Sequence, residues 1–310
     1  VYTMPEFLER RYNKESRTIL SVISLISYVL TKVAVTVYAG GLVFQQVFGI
    51  KELWGIDFFW IAAIGLVLIT ALYTIFGGMK SVLYTSVLQT PILLLGSIII
   101  LVLGLKAVGG WDQVMQICSA EPVNEYGDKM TDLMRDLRDP QYPWLGALVG
   151  SAVIGFWYWC TDQFIVQRVL SGKNEKEARR GTIFGAYLKL LPVFIFLIPG
   201  MIAYALNAKS GGAFLPVDAN GVAISDAAFP TLVAKLLPAG FKGLVVCGIL
   251  AALMSSLASL FNSSAMLFSI GFYKRLRPQT SEKSLVRIGQ IATVVIVILG
   301  ILWIPIMRSV

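Results

Sequence analysis

The sequence contains no histidine, and charged residues make up only 14% of it. The missing histidine excludes histidine-ligated zinc sites and histidine proton relays. Cys118, Cys160 and Cys247 are odd in number and far apart, and the last two lie in apolar stretches. This arrangement argues against a disulfide framework. No secretory signal is visible either, because the first hydrophobic run is too long and begins too late.

Hydrophobic residues dominate the chain instead, at 56% of residues with a mean hydropathy of +0.74. Seven apolar stretches are long enough to cross the roughly 30 Å hydrocarbon core of a bilayer. They cover approximately residues 18–48, 58–76, 82–108, 144–170, 182–206, 243–270 and 288–306. We predict an all-α polytopic membrane protein, with residues 1–310 forming a single transmembrane domain. The chain begins at Val1, so we expect it to be an incomplete piece of a longer protein.

The distribution of basic residues predicts the orientation in the membrane. Short connections at 1–17, 77–81, 171–181 and 271–287 carry more than half of the 26 Lys and Arg residues. Basic residues in short loops favour the cytoplasmic side. We therefore expect a cytoplasmic N-terminus, with residues 109–143 and 207–240 on the outside. Since the net charge of +8 reflects membrane topology, it predicts no nucleic-acid partner.

The segment Trp157–Gln163 places aromatic, thiol, hydroxyl, carboxylate and amide groups inside an apolar stretch. A charged group at bilayer depth costs at least about 2.5 kcal/mol and therefore faces a bundle interior or a wet cavity. An aromatic belt at the membrane surface is the alternative, but apolar residues continue on both sides, back to Trp144 and on to Val169. We predict that the segment lines a solute path. Flat aromatic faces beside polar groups suit a sugar or another amphipathic small solute.

The sixth apolar stretch carries small and hydroxyl-bearing residues on one helical face, at three- and four-residue spacing. These are Ala252, Ser255, Ser256, Ser259, Asn262 and Ser263. Close helix packing through small residues is one interpretation. The other is a site for a hard monovalent cation, because hydroxyls and backbone carbonyls supply the neutral oxygens that transporters use for sodium.

Two lysines lie well inside predicted spans, away from their ends. Lys189 is too deep for its ammonium to reach water easily, so it needs a carboxylate, a carbonyl or a solute oxygen as its partner. A structural ion pair and a solute contact both remain open for it. Lys32, between Thr31 and Thr36, is interpreted as structural because nothing polar near it indicates a site.

The segment Trp157–Gln163, followed by Ile165–Arg168, resembles the sodium/glucose cotransporter branch of the sodium:solute symporter family. Four further segments share the resemblance, in the right order along essentially the whole chain: Tyr2–Glu6, Tyr187–Leu190, Pro199–Ile202 and Met254–Ser259. It implies a partial five-plus-five inverted-repeat fold of the leucine-transporter type, of which this piece matches core helices three to nine. It also implies sodium-coupled symport of a sugar or sugar-like solute by alternating access in the plasma (inner) membrane. Sodium would be the coupling ion, membrane lipid would surround the protein, and no further cofactor is expected.

The resemblance also implies roles for particular residues. Ser255, Ser256 and the backbone carbonyl of Ala252 match sodium ligands, and the remaining ligands belong to a core helix outside this piece.

For the solute, Tyr158 matches the aromatic residue that closes over the sugar from the cytoplasmic side, with Trp159 beside it. Lys189 matches a lysine that hydrogen-bonds sugar hydroxyls. Asp162 and Arg168 match polar positions of the inner pathway.

Three positions depart from the pattern of this branch. Gly155 stands where sugar transporters of the branch have Asn or Thr, so one solute hydrogen bond is missing and the identity of the sugar is open. Ser86 stands where the family commonly has Asp, and Ala258 lacks the hydroxyl of relatives that bind two sodium ions. We therefore expect one sodium ion per transport cycle.

Several alternatives remain at this point. The same fold could carry myo-inositol, a carboxylate or an amino acid, or the chain could be a transporter-derived membrane sensor module. An enzyme is not predicted, because the chain offers no pairing of a nucleophile with a base.

Overall fold

The computed structural model describes residues 3–218 and 221–309, so Tyr2 of the N-terminal motif lies outside the described residues. The described chain is mostly helical, with one small hairpin whose strands β1 (Glu52–Leu53) and β2 (Ile56–Asp57) pair antiparallel. The helices are α1 (Met4–Arg11), α2 (Lys14–Phe48), α3 (Phe58–Val108), α4 (Trp111–Cys118), α5 (Trp144–Thr161), α6 (Gln163–Leu170), α7 (Glu175–Lys209), α8 (Ala228–Leu236), α9 (Ala239–Leu276) and α10 (Glu282–Ser309).

Over the described ranges, six helices are long and apolar enough to cross a bilayer, namely α2, α3, α5, α7, α9 and α10. The sequence predicts seven spans because it separates 58–76 from 82–108, whereas both lie in α3. Gly78 has a left-handed φ of 54° that favours glycine, and it interrupts the helix. Without a bend, 51 residues would extend about 77 Å, more than two hydrocarbon thicknesses. The two arms of α3 therefore correspond to the two predicted spans.

The first two helices both begin at a capping side chain, and the sequence pattern Thr3–Glu6 predicts the first of these starts. The Thr3 hydroxyl accepts a hydrogen bond from the Glu6 N–H at 3.3 Å, and Pro5 occupies the first turn of α1. Asn13 caps α2 by accepting from the Ser16 N–H at 2.8 Å. These caps satisfy N–H groups that have no partner inside the helix.

Four of the membrane helices contain a turn of π-helix within the described residues. These turns are Tyr28–Val33 in α2, Trp157–Thr161 in α5, Val193–Leu197 in α7 and Leu267–Tyr273 in α9. Such turns are rare and often mark functional sites. In α7 the cause is local, since Pro192 has no N–H to donate to the preceding turn. The predicted fourth span does not run unbroken to residue 170, because Asp162 is extended (φ −73°, ψ 110°) and separates α5 from α6.

Two apolar clusters hold the bundle together. One joins α2, the first arm of α3, α9 and α10, and Tyr28, Phe59 and Phe261 are buried in it. The other joins the second arm of α3 to α4, α7 and α8, around Ile100 and Ile202. By contrast, no residue of Trp144–Phe156 in α5 is buried. Within the described residues, the other membrane helices therefore pack into the two clusters, whereas the first part of α5 packs into neither.

Candidate functional site

The break between α5 and α6 presents three aromatic rings in a row. The Tyr158 ring lies 6.4 Å from that of Trp157 and 5.5 Å from that of Trp159, centroid to centroid, and is nearly perpendicular to the latter. The Asp162 N–H still donates to the Trp157 carbonyl at 3.0 Å, which closes the widened turn. Tyr158 is half-buried and its two neighbours are exposed. The break therefore fixes an aromatic surface whose middle ring is the best protected.

Lys189 meets this surface from α7. Its Nζ lies 5.3 Å from the centre of the Tyr158 ring, within the range of a cation–π contact. Lys189 ends the first half of α7, just before the interruption at Pro192. Within the described residues it forms no ion pair, so its ammonium keeps donors for another partner. The structure thus brings together Tyr158, Trp159 and Lys189, the three residues predicted to bind the solute.

Asp162 is buried and paired in the structure, and its place on an inner pathway stays a prediction. Its carboxylate is only 2% exposed and accepts hydrogen bonds from the Tyr28 hydroxyl and the Lys32 ammonium of α2. The sequence analysis found no polar partner for Lys32, because 130 residues separate it from Asp162. Nothing local in the sequence could have revealed that contact.

Arg168, the second predicted pathway residue, joins α6 to α9. Its guanidinium donates to the Ser259 hydroxyl, and neighbouring Gln167 donates to the Ser259 carbonyl at 3.1 Å. The Asn262 side chain donates to the Gln167 amide oxygen at 3.1 Å. Ser259 and Asn262 belong to the small-residue face of α9, so one part of that face serves in helix packing.

The other part of the same face carries the predicted sodium ligands. Ser255 and Ser256 are half-buried, and the Ser255 hydroxyl shares a 2.7 Å hydrogen bond with that of Ser86 on α3. Ala252 lies inside a regular α-helix, so its carbonyl already accepts one intrahelical bond and retains a single lone pair. The Ser255 hydroxyl thus lies where α9 contacts α3. No hydrogen bond within the described ranges joins these oxygens directly to Tyr158 or Lys189.

The two helices run antiparallel in a definite register. Ser86 meets Ser255, and a Cβ on Gly248 would lie 3.2 Å from the Cα of Leu93. Seven residues forward on α3 therefore match seven residues back on α9. Position 89 of α3 lies on the same face, level with position 252 of α9.

Gln89 is a candidate that the sequence analysis missed. Its Oε1 is buried and has no hydrogen-bond partner among the described residues. By the register it lies opposite Ala252, one turn along from Ser86. A buried amide oxygen without a partner is costly, and a neutral oxygen beside the Ser255–Ser256 pair is of the type that sodium prefers.

Charges in the connection between α4 and α5 pair with one another. The Arg138 guanidinium donates to Asp136 at 3.0 Å and lowers the pKa of that carboxyl to about 2. Arg135 pairs with Asp139. Among the residues the structure describes, no group of three or more Cys, Asp or Glu could hold a metal ion. The acidic connection is thus held by its own contacts.

Comparison with known proteins supplies the family context. The profile of the Sodium:solute symporter family matches residues 1–309. Sodium/myo-inositol cotransporter 2 of Bos taurus and sodium/glucose cotransporter 4 of Mus musculus are each 39% identical over 324 residues. Both alignments cover 100% of this chain, but 47% and 46% of the two relatives. The chain therefore spans about half the length of these relatives.

A solved structure is similar as well. It shows a Na+-coupled sialic acid symporter in a substrate-bound, outward-open state, with a TM-score of 0.81 and 23% identity. The match covers 99% of this chain and 62% of that one. This likeness confirms the predicted fold class, a partial inverted-repeat transporter fold.

Proposed function

Because this chain belongs to the sodium:solute symporter family, we propose that the protein couples movement of a sugar or sugar-like polyol to sodium by alternating access. The family consists of transporters, so the chain is not an enzyme, and its apolar helices make it a multi-pass membrane protein. Glucose and myo-inositol, the solutes in the names of its relatives, are the first candidates. The proposal includes a plasma-membrane location and a cytoplasmic N-terminus, supported by the basic short loops.

The observation that carries the proposal is a set of neutral oxygens near the contact of α3 with α9. The Ser255 hydroxyl contacts Ser86 of α3, and Ser256 follows it in the chain. By the register, the Gln89 amide oxygen and Ala252 lie one turn away. No carboxylate is among them, so they favour a monovalent cation over a divalent one. One such cluster supports one sodium ion per cycle. Ser86, hydrogen-bonded to Ser255, offers no carboxylate for a second ion.

The solute in this proposal lies against Tyr158 and Trp159 and receives hydrogen bonds from Lys189. An aromatic face stacks on the apolar face of a sugar ring, and an ammonium donates to ring hydroxyls. Gly155, one turn before Trp159, presents no side chain for a further hydrogen bond. A Cβ built there meets nothing within 4 Å, so that space is open to a larger or more hydrated solute.

Uptake measurements test the proposal. Cells expressing the protein should accumulate labelled glucose or myo-inositol in sodium medium and not when choline replaces sodium. Preloading with an unlabelled solute should accelerate entry of the labelled one by counterflow, which identifies the carried species. The ratio of charge moved to solute moved should be one. Absence of sodium-dependent uptake for every sugar, polyol, carboxylate and amino acid tried would refute transport. It would then favour a transporter-derived sensor module.

A further inference from the structure

The Asp162 carboxylate connects α2 to the start of α6. It caps α6 by accepting a hydrogen bond from the Phe164 N–H at 3.3 Å, and it also accepts from Tyr28 and Lys32. The Tyr28 hydroxyl in turn accepts from the same Phe164 N–H at 3.0 Å. Tyr28 is 1% exposed and Asp162 2%. The first turn of α6 is therefore held to α2 through a buried network.

Lys32 contacts the chain on both sides of the break. Its Nζ lies 4.7 Å from the Trp157 ring before the break and 5.3 Å from the Phe164 ring after it. The Tyr28 ring lies 4.7 Å away on a third side. An ammonium facing aromatic rings and a carboxylate is attracted to all of them. The position of the Lys32 ammonium therefore depends on the backbone conformation between α5 and α6. The ammonium in turn stabilises that conformation.

The break in α5–α6 and the π turn in α2 face each other. Tyr28 and Lys32 both lie within the turn Tyr28–Val33, four residues apart and on one side of α2. A purely structural ion pair needs no irregular backbone on either partner. Here two irregular segments meet through one carboxylate, at the point where α5 ends and α6 begins.

We infer that Tyr28 and Lys32 are positioning residues for the aromatic surface Trp157–Trp159. Together with Asp162 they form a clamp that holds the break in one arrangement and thereby fixes where Tyr158 lies. Opening toward the cytoplasm requires the clamp to loosen, which rests on the function proposed above. The positioning role itself does not depend on which solute is carried.

Hydrogen–deuterium exchange of the purified protein tests the clamp without any transport. Lys32→Met removes the ammonium and keeps the chain length. We expect peptides covering residues 157–170 to exchange about tenfold faster, within the range typical of coupling between two sites. Peptides of α9 should stay unchanged. Asp139→Asn is the matched control, because it removes a similarly buried carboxylate that pairs with Arg135 in the connection between α4 and α5. Its effect should stay within residues 119–143.

Lys32→Met leaves Asp162 as an unpaired buried charge, which could prevent folding. The double variant Lys32→Met/Asp162→Asn removes both charges and should restore yield while exchange at 157–170 stays fast. In uptake assays, Tyr28→Phe should lower the maximal rate severalfold with a smaller change in the solute concentration for half-maximal uptake. If the double variant exchanges as slowly as the wild type, the clamp is refuted. If exchange rises but no solute is ever carried, the clamp stands and the proposed function is wrong.

Discussion

Replacing Lys189 with alanine tests the solute site most directly. The side chain is exposed and has no carboxylate partner within the part of the chain that the structure describes, so its loss should leave folding within about 0.5 kcal/mol of the wild type. The ammonium does face Tyr158 at 5.3 Å, where a solute hydroxyl would accept its hydrogen bond. Losing a hydrogen bond to a charged group costs about 1.5–3 kcal/mol. The solute concentration for half-maximal uptake should then rise by about 10- to 150-fold.

Initial uptake rates over a range of solute concentrations, at fixed sodium, measure this change. Lys176→Ala is the control, because Lys176 is an exposed lysine near the start of the same helix and lies away from the break. Surface expression of both variants should match the wild type. A half-saturating solute concentration within a factor of about two of the wild type would show that Lys189 donates no hydrogen bond of that strength. A loss of expression instead would show that it belongs to a structural ion pair.

Three further substitutions test the remaining parts of the site. Ser256→Ala should raise the half-saturating sodium concentration about tenfold, the effect of losing a ligand worth about 1.4 kcal/mol. Ser264→Ala is the control and should leave that concentration unchanged, because its buried hydroxyl has no partner among the described residues. Equal effects of the two substitutions would refute the assignment of Ser256. Gln89→Leu should also raise the half-saturating sodium concentration without lowering expression, since it removes a buried amide oxygen that lacks a partner; an unchanged sodium titration would contradict this. Gly155→Asn should change the preference between glucose and myo-inositol in competition uptake. The yield should stay unchanged, because the added side chain enters open space. Identical competition curves for the variant and the wild type would show that position 155 does not contact the solute.

The sequence predicts well those features that depend on local composition. Apolar length predicts the membrane helices, and Thr3 with Pro5 predicts the start of α1. Serines at helical spacing on α9 predict a shared face, although the pattern does not separate packing from binding. The structure divides that face, since Ser259 contacts α6 and Ser255 contacts α3.

Local sequence patterns do not predict contacts between residues that are far apart in the chain. Asp162 pairs with Lys32, which the sequence analysis interpreted as structural without identifying its partner. The helix break at Asp162 was also missed, because apolar residues on both sides continue a pattern typical of a membrane span. Only the cost of a carboxylate in hydrocarbon signalled something unusual there. Identifying Gln89 as a candidate cation ligand required the packing register of α3 against α9, which local sequence does not give.

The physical relation between the two candidate sites lies in α6. Sodium can favour solute binding only as far as it binds one arrangement of the protein better than another. The serine hydroxyls of the candidate cation site lie on α9, one turn before Ser259, which receives hydrogen bonds from Gln167 and Arg168 of α6. At its other end, α6 is capped by Asp162, three residues after the aromatic surface Trp157–Trp159. A helix of 8 residues held at both ends moves as a rigid unit, because bending it would break its short hydrogen-bond ladder. We therefore expect a shift of α9 at the cation site to reach Tyr158 as a displacement of α6.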